Sequence, residues 1–138
     1  MIRRAESADM EAVLDIRARV FIEEQNVPEA EERDGRDGEA LHLIAFADGT
    51  PVGTARILVQ NDLGKIGRVA VLANHRGTGL GKALIRAALD EIKAEGLARA
   101  KLGAQTHAIG FYESLGFEAT GPEYMDAGIP HRDMVRDL

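Results

Sequence analysis

The stretch Val69-Ala70-Val71-Leu72-Ala73-Asn74-His75-Arg76-Gly77-Thr78-Gly79-Leu80-Gly81-Lys82 decides how the rest of this chain is read. An apolar run gives way to a turn in which glycine takes every second place from 77 to 81, and a helical pattern follows. Leu80, Ala83, Leu84, Ala87, Ala88 and Ile92 fall on one face, while Lys82, Arg86, Asp90, Lys93 and Glu95 fall on the other. Gly96 is its natural C-terminal stop. A strand running through glycines into a helix is a device for holding phosphate. First-turn N–H groups lack helical partners, the helix dipole adds partial positive charge, and glycine lets backbone approach the oxygens. Arg76 and Lys82 add full charges. A plain connection with no ligand could use the same residues, so spacing has to discriminate. A P-loop needs glycine where Arg76 stands and Ser or Thr where Ala83 stands. A dinucleotide fingerprint needs its third glycine at Lys82, after the first strand of a parallel unit. Neither nucleotide pattern fits.

Upstream, Asp48-Gly49 joins the apolar runs 41–47 and 52–59, a hairpin signal because both turn positions tolerate positive φ. A second turn at Asn61-Asp62-Leu63-Gly64 leads into a strand over 65–72, completing an antiparallel meander. Before it, Ser7 is placed to cap a helix with Asp9 and Glu11 in its first turn and a buried stripe of Met10, Val13, Leu14, Arg17, Val20 and Phe21. Pro28 stops that helix, and the charged run 29–39 reads as a solvated loop. Downstream the pattern gives a strand at 99–105, a helix at 107–115 closed by Gly116, and strands at 117–124 and 131–138 around a Gly128-Ile129-Pro130 turn. The expected order is βαβββαβαββ: an α/β (α+β) fold with a mixed, mostly antiparallel sheet flanked by helices.

Composition narrows the function. The chain has 138 residues, 45% hydrophobic and 29% charged, and no repeat or linker divides it, so residues 1–138 are expected to form one domain. With no cysteine there is no disulfide, thiolate metal site or cysteine-linked intermediate. A net charge of −6 has the wrong sign for a chain-wide nucleic-acid footprint. No apolar run approaches the roughly 18 residues of a membrane span, and no leader follows the first arginines, so a cytoplasmic protein without membrane partners is expected. The four histidines (42, 75, 107 and 131) sit at no ligand spacing, so no metal is expected.

Arg76-x-x-Gly79-x-Gly81 after an antiparallel strand resembles the coenzyme A signature (Q/R-x-x-G-x-G/A) of the GNAT superfamily of N-acetyltransferases. Ala108-Ile109-Gly110-Phe111-Tyr112-Glu113-Ser114-Leu115-Gly116-Phe117 is similar to that family's F-Y-E-x-L-G-F helix, and the element order agrees from end to end. The segment Val20-Phe21-Ile22-Glu23-Glu24-Gln25-Asn26-Val27-Pro28, with Asp34, Asp37, His42 and Gly128-Ile129-Pro130-His131, further resembles the small bacterial ElaA/YjcF-like branch.

The resemblance implies acetyl-CoA as cosubstrate. Its pyrophosphate would rest on main-chain amides of Arg76, Gly77, Thr78, Gly79, Leu80, Gly81 and Lys82, and its pantetheine arm would lie along Val69, Ala70 and Val71. The Val71 amide would point at the thioester carbonyl, where negative charge develops during attack. Tyr112 would lie against the coenzyme and protonate the departing thiolate, a role a phenol of pKa about 10 can fill; packing beside Phe111 is its plainer reading. Gln105 stands where many members carry an asparagine that touches pantetheine. The general base stays open. Some relatives use a glutamate where this chain has Gly103, and Gly67 and Arg68 offer no acid, which leaves Glu24, His42, then His131, or a chain of waters. The charged loop 29–39 either draws in a cationic amine or merely connects. The implied reaction is direct transfer from thioester to a small-molecule or protein amine in a ternary complex. The alternative is an acyl-CoA-binding sensor or partner module without catalysis. The acceptor's identity and a homodimer are left open.

Overall fold

The computed structural model describes all residues from Met1 to Leu138. Strands β1 (Ile2–Arg4), β2 (Leu41–Ala47), β3 (Thr50–Gln60) and β4 (Leu63–Val71) pair antiparallel in sequence order. Asp48 and Gly49 take φ of 50° and 79°, the two positive angles that a tight hairpin with the sheet's own twist demands. After helix α3 (Leu80–Ala94) the chain returns as β5 (Arg99–Gln105), parallel to β4. A short helix α4 (Ile109–Glu113) precedes the hairpin of β6 (Glu118–Asp126) and β7 (Ile129–Asp137). The seven strands lie in the order β1-β2-β3-β4-β5-β7-β6, so the mixed, largely antiparallel sheet is the expected one. None of the helices is long and apolar enough to cross a membrane.

Helix α3 packs its Leu84, Ile85, Ala88, Leu89 and Ile92 onto one face of the sheet, against Leu43, Ile57, Ile66, Leu102, Phe117 and Met134. The approach is close. A Cβ built at Gly64 would stand 2.6 Å from Ile92 Cγ1, so this strand position has room for glycine only. On the opposite face lies helix α1 (Met10–Arg17), which continues with wider π-type winding through Ala18–Glu24. Its Ile16 and Val20 pack on Ala70 of β4, with Phe21 and Leu72 alongside.

Four local expectations are corrected. Glu6, not Ser7, opens the first helical segment, its N–H donating to Asp9 Oδ2 at 2.8 Å. The inward stripe of α1 and its continuation is Val13, Ile16, Arg17 and Val20, a face displaced from the one holding Met10 and Leu14. The charged run 29–39 is largely exposed, as expected, but is not merely a loop. It contains helix α2 (Glu29–Glu32), and Glu32 is 1% exposed because its carboxylate meets the fully buried Arg17. The last turn also sits earlier than expected, at Ala127 and Gly128 (φ 52° and 77°), with Ile129 and Pro130 already in β7. Pro130 is tolerated there because pairing of β7 with β5 begins only at His131.

The feature that shapes the site is a split in the sheet. Strands β4 and β5 pair from Leu63 opposite Arg99 to Ile66 opposite Leu102, and no further. Beyond that point β4 bulges: its register against β3 shifts between Thr54 and Arg56, and Arg68 takes a φ of 51°. Residues 67–71 thus leave β5, while β5 follows β7 as far as Gln105 opposite His131.

Candidate active site

The opening between the diverging strands is a cavity of about 520 Å³. Gly67, Arg68 and Val69 line it from β4, and Leu102, Gly103 and Gln105 from β5. Phe21 and Gln25 of the first helical segment, Glu31 and Glu32 of α2, Tyr112 of α4, and Tyr124 and His131 of the last hairpin close it. The orientation of the β4 amides follows from the ladder. Leu72 donates its N–H to the Val52 carbonyl at 2.9 Å, and Val71 stands opposite Gly53. Alternate residues of an antiparallel strand turn their polar groups to opposite sides. The N–H and C=O of Val71 therefore face away from β3, into the split. The carbonyl is occupied by Arg76 Nε at 2.9 Å, whereas the N–H is directed at the gap.

Beyond Val71 the chain makes one tight turn at Ala73–His75 and reaches α3 through Gly77 and Gly79, whose φ values are 77° and 83°. Gly79 is the N-cap: its carbonyl accepts from Ala83 N–H at 3.0 Å, leaving the amides of Leu80, Gly81 and Lys82 without helical partners. A Cβ at Gly77, Gly79 or Gly81 would meet nothing within 4 Å, so the turn presents open backbone. Thr78 stiffens it by donating Oγ1–H to the His75 carbonyl at 2.7 Å. The Arg76 guanidinium is folded back: besides Val71 it meets Glu24 Oε2 at 2.6 Å.

Tyr112 packs edge-on against Phe111 (centroids 5.1 Å apart) and Phe117 (6.2 Å), and burial raises the pKa of its phenol. Gln105 is tethered on both sides, its Nε2 to Gln25 Oε1 at 3.4 Å and its Oε1 to His107 Nε2 at 2.7 Å. His131 donates Nδ1–H to the Ile129 carbonyl at 2.7 Å and stacks on Tyr124 with the rings 22° apart. A carbonyl can only accept, so the lone pair of neutral His131 is on Nε2. The structure thus gathers Val69, Gln105, Tyr112 and His131 around one cavity. Glu24 stands outside it, paired with Arg76, and so does His42, whose Nε2 meets the Asp37 carbonyl at 2.9 Å on β2.

Tyr124 and Arg56 were not singled out in the sequence, and Gly103 and Arg68 figured there only as positions without an acid. Tyr124 donates its hydroxyl to Asp133 Oδ1 at 2.7 Å, and burial together with that carboxylate pushes its phenol pKa up. A Cβ on Gly103 would stand 2.5 Å from that hydroxyl, so Gly103 clears space for Tyr124. Arg56 and Arg68 also reach the cavity wall. Arg56 grips Asp34 through two bonds of 2.8 and 2.9 Å and Asp37 through a third of 3.1 Å. A charged residue inside the apolar run 52–59 was the available signal.

Comparison with known proteins identifies the family and the fold. The family described as Acetyltransferase (GNAT) domain matches residues 5–138. The uncharacterized N-acetyltransferase YjcF of Bacillus subtilis is 40% identical over 124 residues, 88% of each chain. Protein ElaA of Escherichia coli is 35% identical over 133 residues, covering 92% of this chain and 86% of its own; its crystal structure superimposes with a TM-score of 0.85 over 99% of both chains. An acyl-CoA N-acyltransferase from Pseudomonas aeruginosa, 32% identical, superimposes with a TM-score of 0.87 over 99% of this chain and 97% of that one.

Proposed function

The chain belongs to the GNAT acetyltransferase family, whose members take an acetyl group from acetyl-CoA, and we propose that it passes this group directly to an amine within a ternary complex. One observation carries the reading: beside an open glycine turn, β4 parts from β5 and turns the Val71 amide away from β3 toward the split, whose cavity is lined by Val69 and Tyr112. In this proposal the coenzyme's diphosphate lies on the amides from Arg76 to Lys82, with the Lys82 ammonium beside it. Glu24 keeps Arg76 folded over the strand end. The pantetheine arm fills the split as a surrogate strand along Val69, Ala70 and Val71, with Gln105 across from it. The thioester carbonyl then accepts from Val71 N–H, and that donor strengthens as the oxygen gains charge.

The neutral amine attacks the carbonyl carbon, forming the C–N bond. We assign the base to His131, the one of the three named candidates that borders the cavity: its Nε2 takes the amine proton. As the C–S bond breaks, Tyr112 gives its hydroxyl proton to the coenzyme sulfur and is reprotonated from solvent. A phenol of ordinary pKa about 10, raised further by burial, is protonated at neutral pH, the form a general acid needs. The products are an N-acetylated amine and free CoA thiol.

The test is thiol release from acetyl-CoA over a panel of amines. Tyr112→Phe is expected to lower kcat by about 100-fold or more while CoA affinity changes little. An unchanged rate would remove the acid assignment, and coenzyme binding without thiol release from any amine would favour the acyl-CoA sensor instead.

A further inference from the structure

We infer that the amine acceptor of this site carries a carboxylate, and that Arg68 is the residue that receives it. The inference rests on the acetyl-transfer reading above and concerns what the cavity would select. Four guanidiniums (Arg17, Arg33, Arg56 and Arg68) share three carboxylates (Glu32, Asp34 and Asp37) beneath the cavity. Each carboxylate already serves two of them. Glu32 holds Arg17 and Arg33, Asp37 holds Arg17 and Arg56, and Asp34 holds Arg56 and Arg68. One positive charge is left over, in a chain whose net charge is −6.

That surplus is located at Arg68. The bulge in β4 places it on the cavity wall, with its side chain only 25% exposed. All of its hydrogen bonds leave from Nη2, and all are long: 3.3 Å to the Glu31 carbonyl, 3.2 Å to the Glu32 carbonyl and 3.4 Å to Asp34 Oδ2. Its Nε is buried without a partner, as is that of Arg56 behind it. A mostly buried guanidinium with unused donors is the environment a planar, singly charged anion completes. A carboxylate balances the surplus, whereas a phosphate dianion would exceed it. The remaining charges on the cavity, Lys65, Arg36, Glu31 and Asp126, are exposed at its mouth. A zwitterionic acceptor would therefore put its carboxylate inward on Arg68 and its amine toward the thioester.

The experiment compares amines that differ only in the acid group: glycine, β-alanine, 4-aminobutyrate and L-methionine, each against its carboxamide, with phosphoethanolamine as the phosphate arm. In wild-type protein the acid of at least one pair is expected to exceed its amide by roughly 10- to 100-fold in kcat/KM, the worth of a charge-assisted bond. Arg68→Gln is expected to bring that ratio close to one, and Arg68→Lys to restore part of it. Acid and amide used equally well in wild type, a ratio that survives Arg68→Gln, or preference for phosphoethanolamine over every acid would overturn the proposal. Calorimetry of the CoA-loaded protein with the N-acetylated forms of each pair needs no turnover. Binding of acid over amide there sustains the subsite even where no thiol release occurs, an outcome that would count against acetyl transfer alone; equal binding would count against the subsite.

Discussion

His131 shows how a backbone contact sets the chemistry of a side chain. The Ile129 carbonyl fixes its proton on Nδ1 and Tyr124 stacks on the ring, so the lone pair of neutral His131 is on Nε2, in a residue that borders the cavity. The ascending limb of kcat against pH reports the group that must lose its proton before attack. That limb is expected to vanish in His131→Ala and to persist in Glu24→Gln and His42→Ala; a limb retained in His131→Ala would return the role to the other two or to water. Tyr112 and the glycines were legible because each lies in a short motif whose spacing is itself informative. Arg68 was not. Read along the chain it is merely an arginine where an acid is missing, and its meaning appears only once a positive φ turns it onto the cavity wall. Gly103 is similar, since the hydroxyl that requires its missing Cβ belongs to a residue 21 positions later, Tyr124.

At the scale of elements, α2 is the instructive case. Four residues are far too few for a helix to hold itself in water. It is held by Arg17, fully buried on α1, and by the arginines at 33 and 68, while Arg56 ties down the residues that follow it through Asp34 and Asp37. Removing one partner from a buried pair of this kind typically costs about 3–5 kcal/mol, because the other charge is stranded. The network also sets an acid limit. Hydrogen bonding from Arg56 holds the Asp34 carboxyl well below the usual carboxylate range. Burial alone would raise Asp37, yet Arg17 and Arg56 bring it below its ordinary value. Carboxyls depressed in the fold stabilise it above their unfolded pKa of about 3.9, and that stability is lost as pH falls through the folded value. The urea midpoint should therefore decline as pH drops below about 4. Asp34→Asn should start from a lower midpoint and decline less steeply, and an identical slope in both proteins would contradict this. The sequence misled here for a physical reason. Acids crowd into 29–39 and suggest water, but besides Arg33 and Arg36 of the run itself the bases that neutralise them come from α1, β3 and β4, which are joined only by folding.

At the scale of the molecule, the order of strands and helices could be read from periodicity and turn residues, because those signals are local. The parting of β4 from β5 could not: it depends on one bulge and on where two strands stop pairing. That split, with the glycine turn at its end, is where the acetyl donor is proposed to lie. The most direct test is calorimetric titration of CoA into wild-type protein and into Gly79→Val. Gly79 sits at a φ of 83° with open space around it, so valine alters the turn's backbone without striking a neighbour. A β-branched side chain is strongly disfavoured at that angle. Wild type is expected to bind CoA with measurable heat, and Gly79→Val to lose at least about tenfold in affinity while its far-UV circular dichroism is retained. Absence of heat from wild type at near-millimolar CoA, or equal affinity in the two proteins, would contradict a diphosphate held by the amides between Arg76 and Lys82.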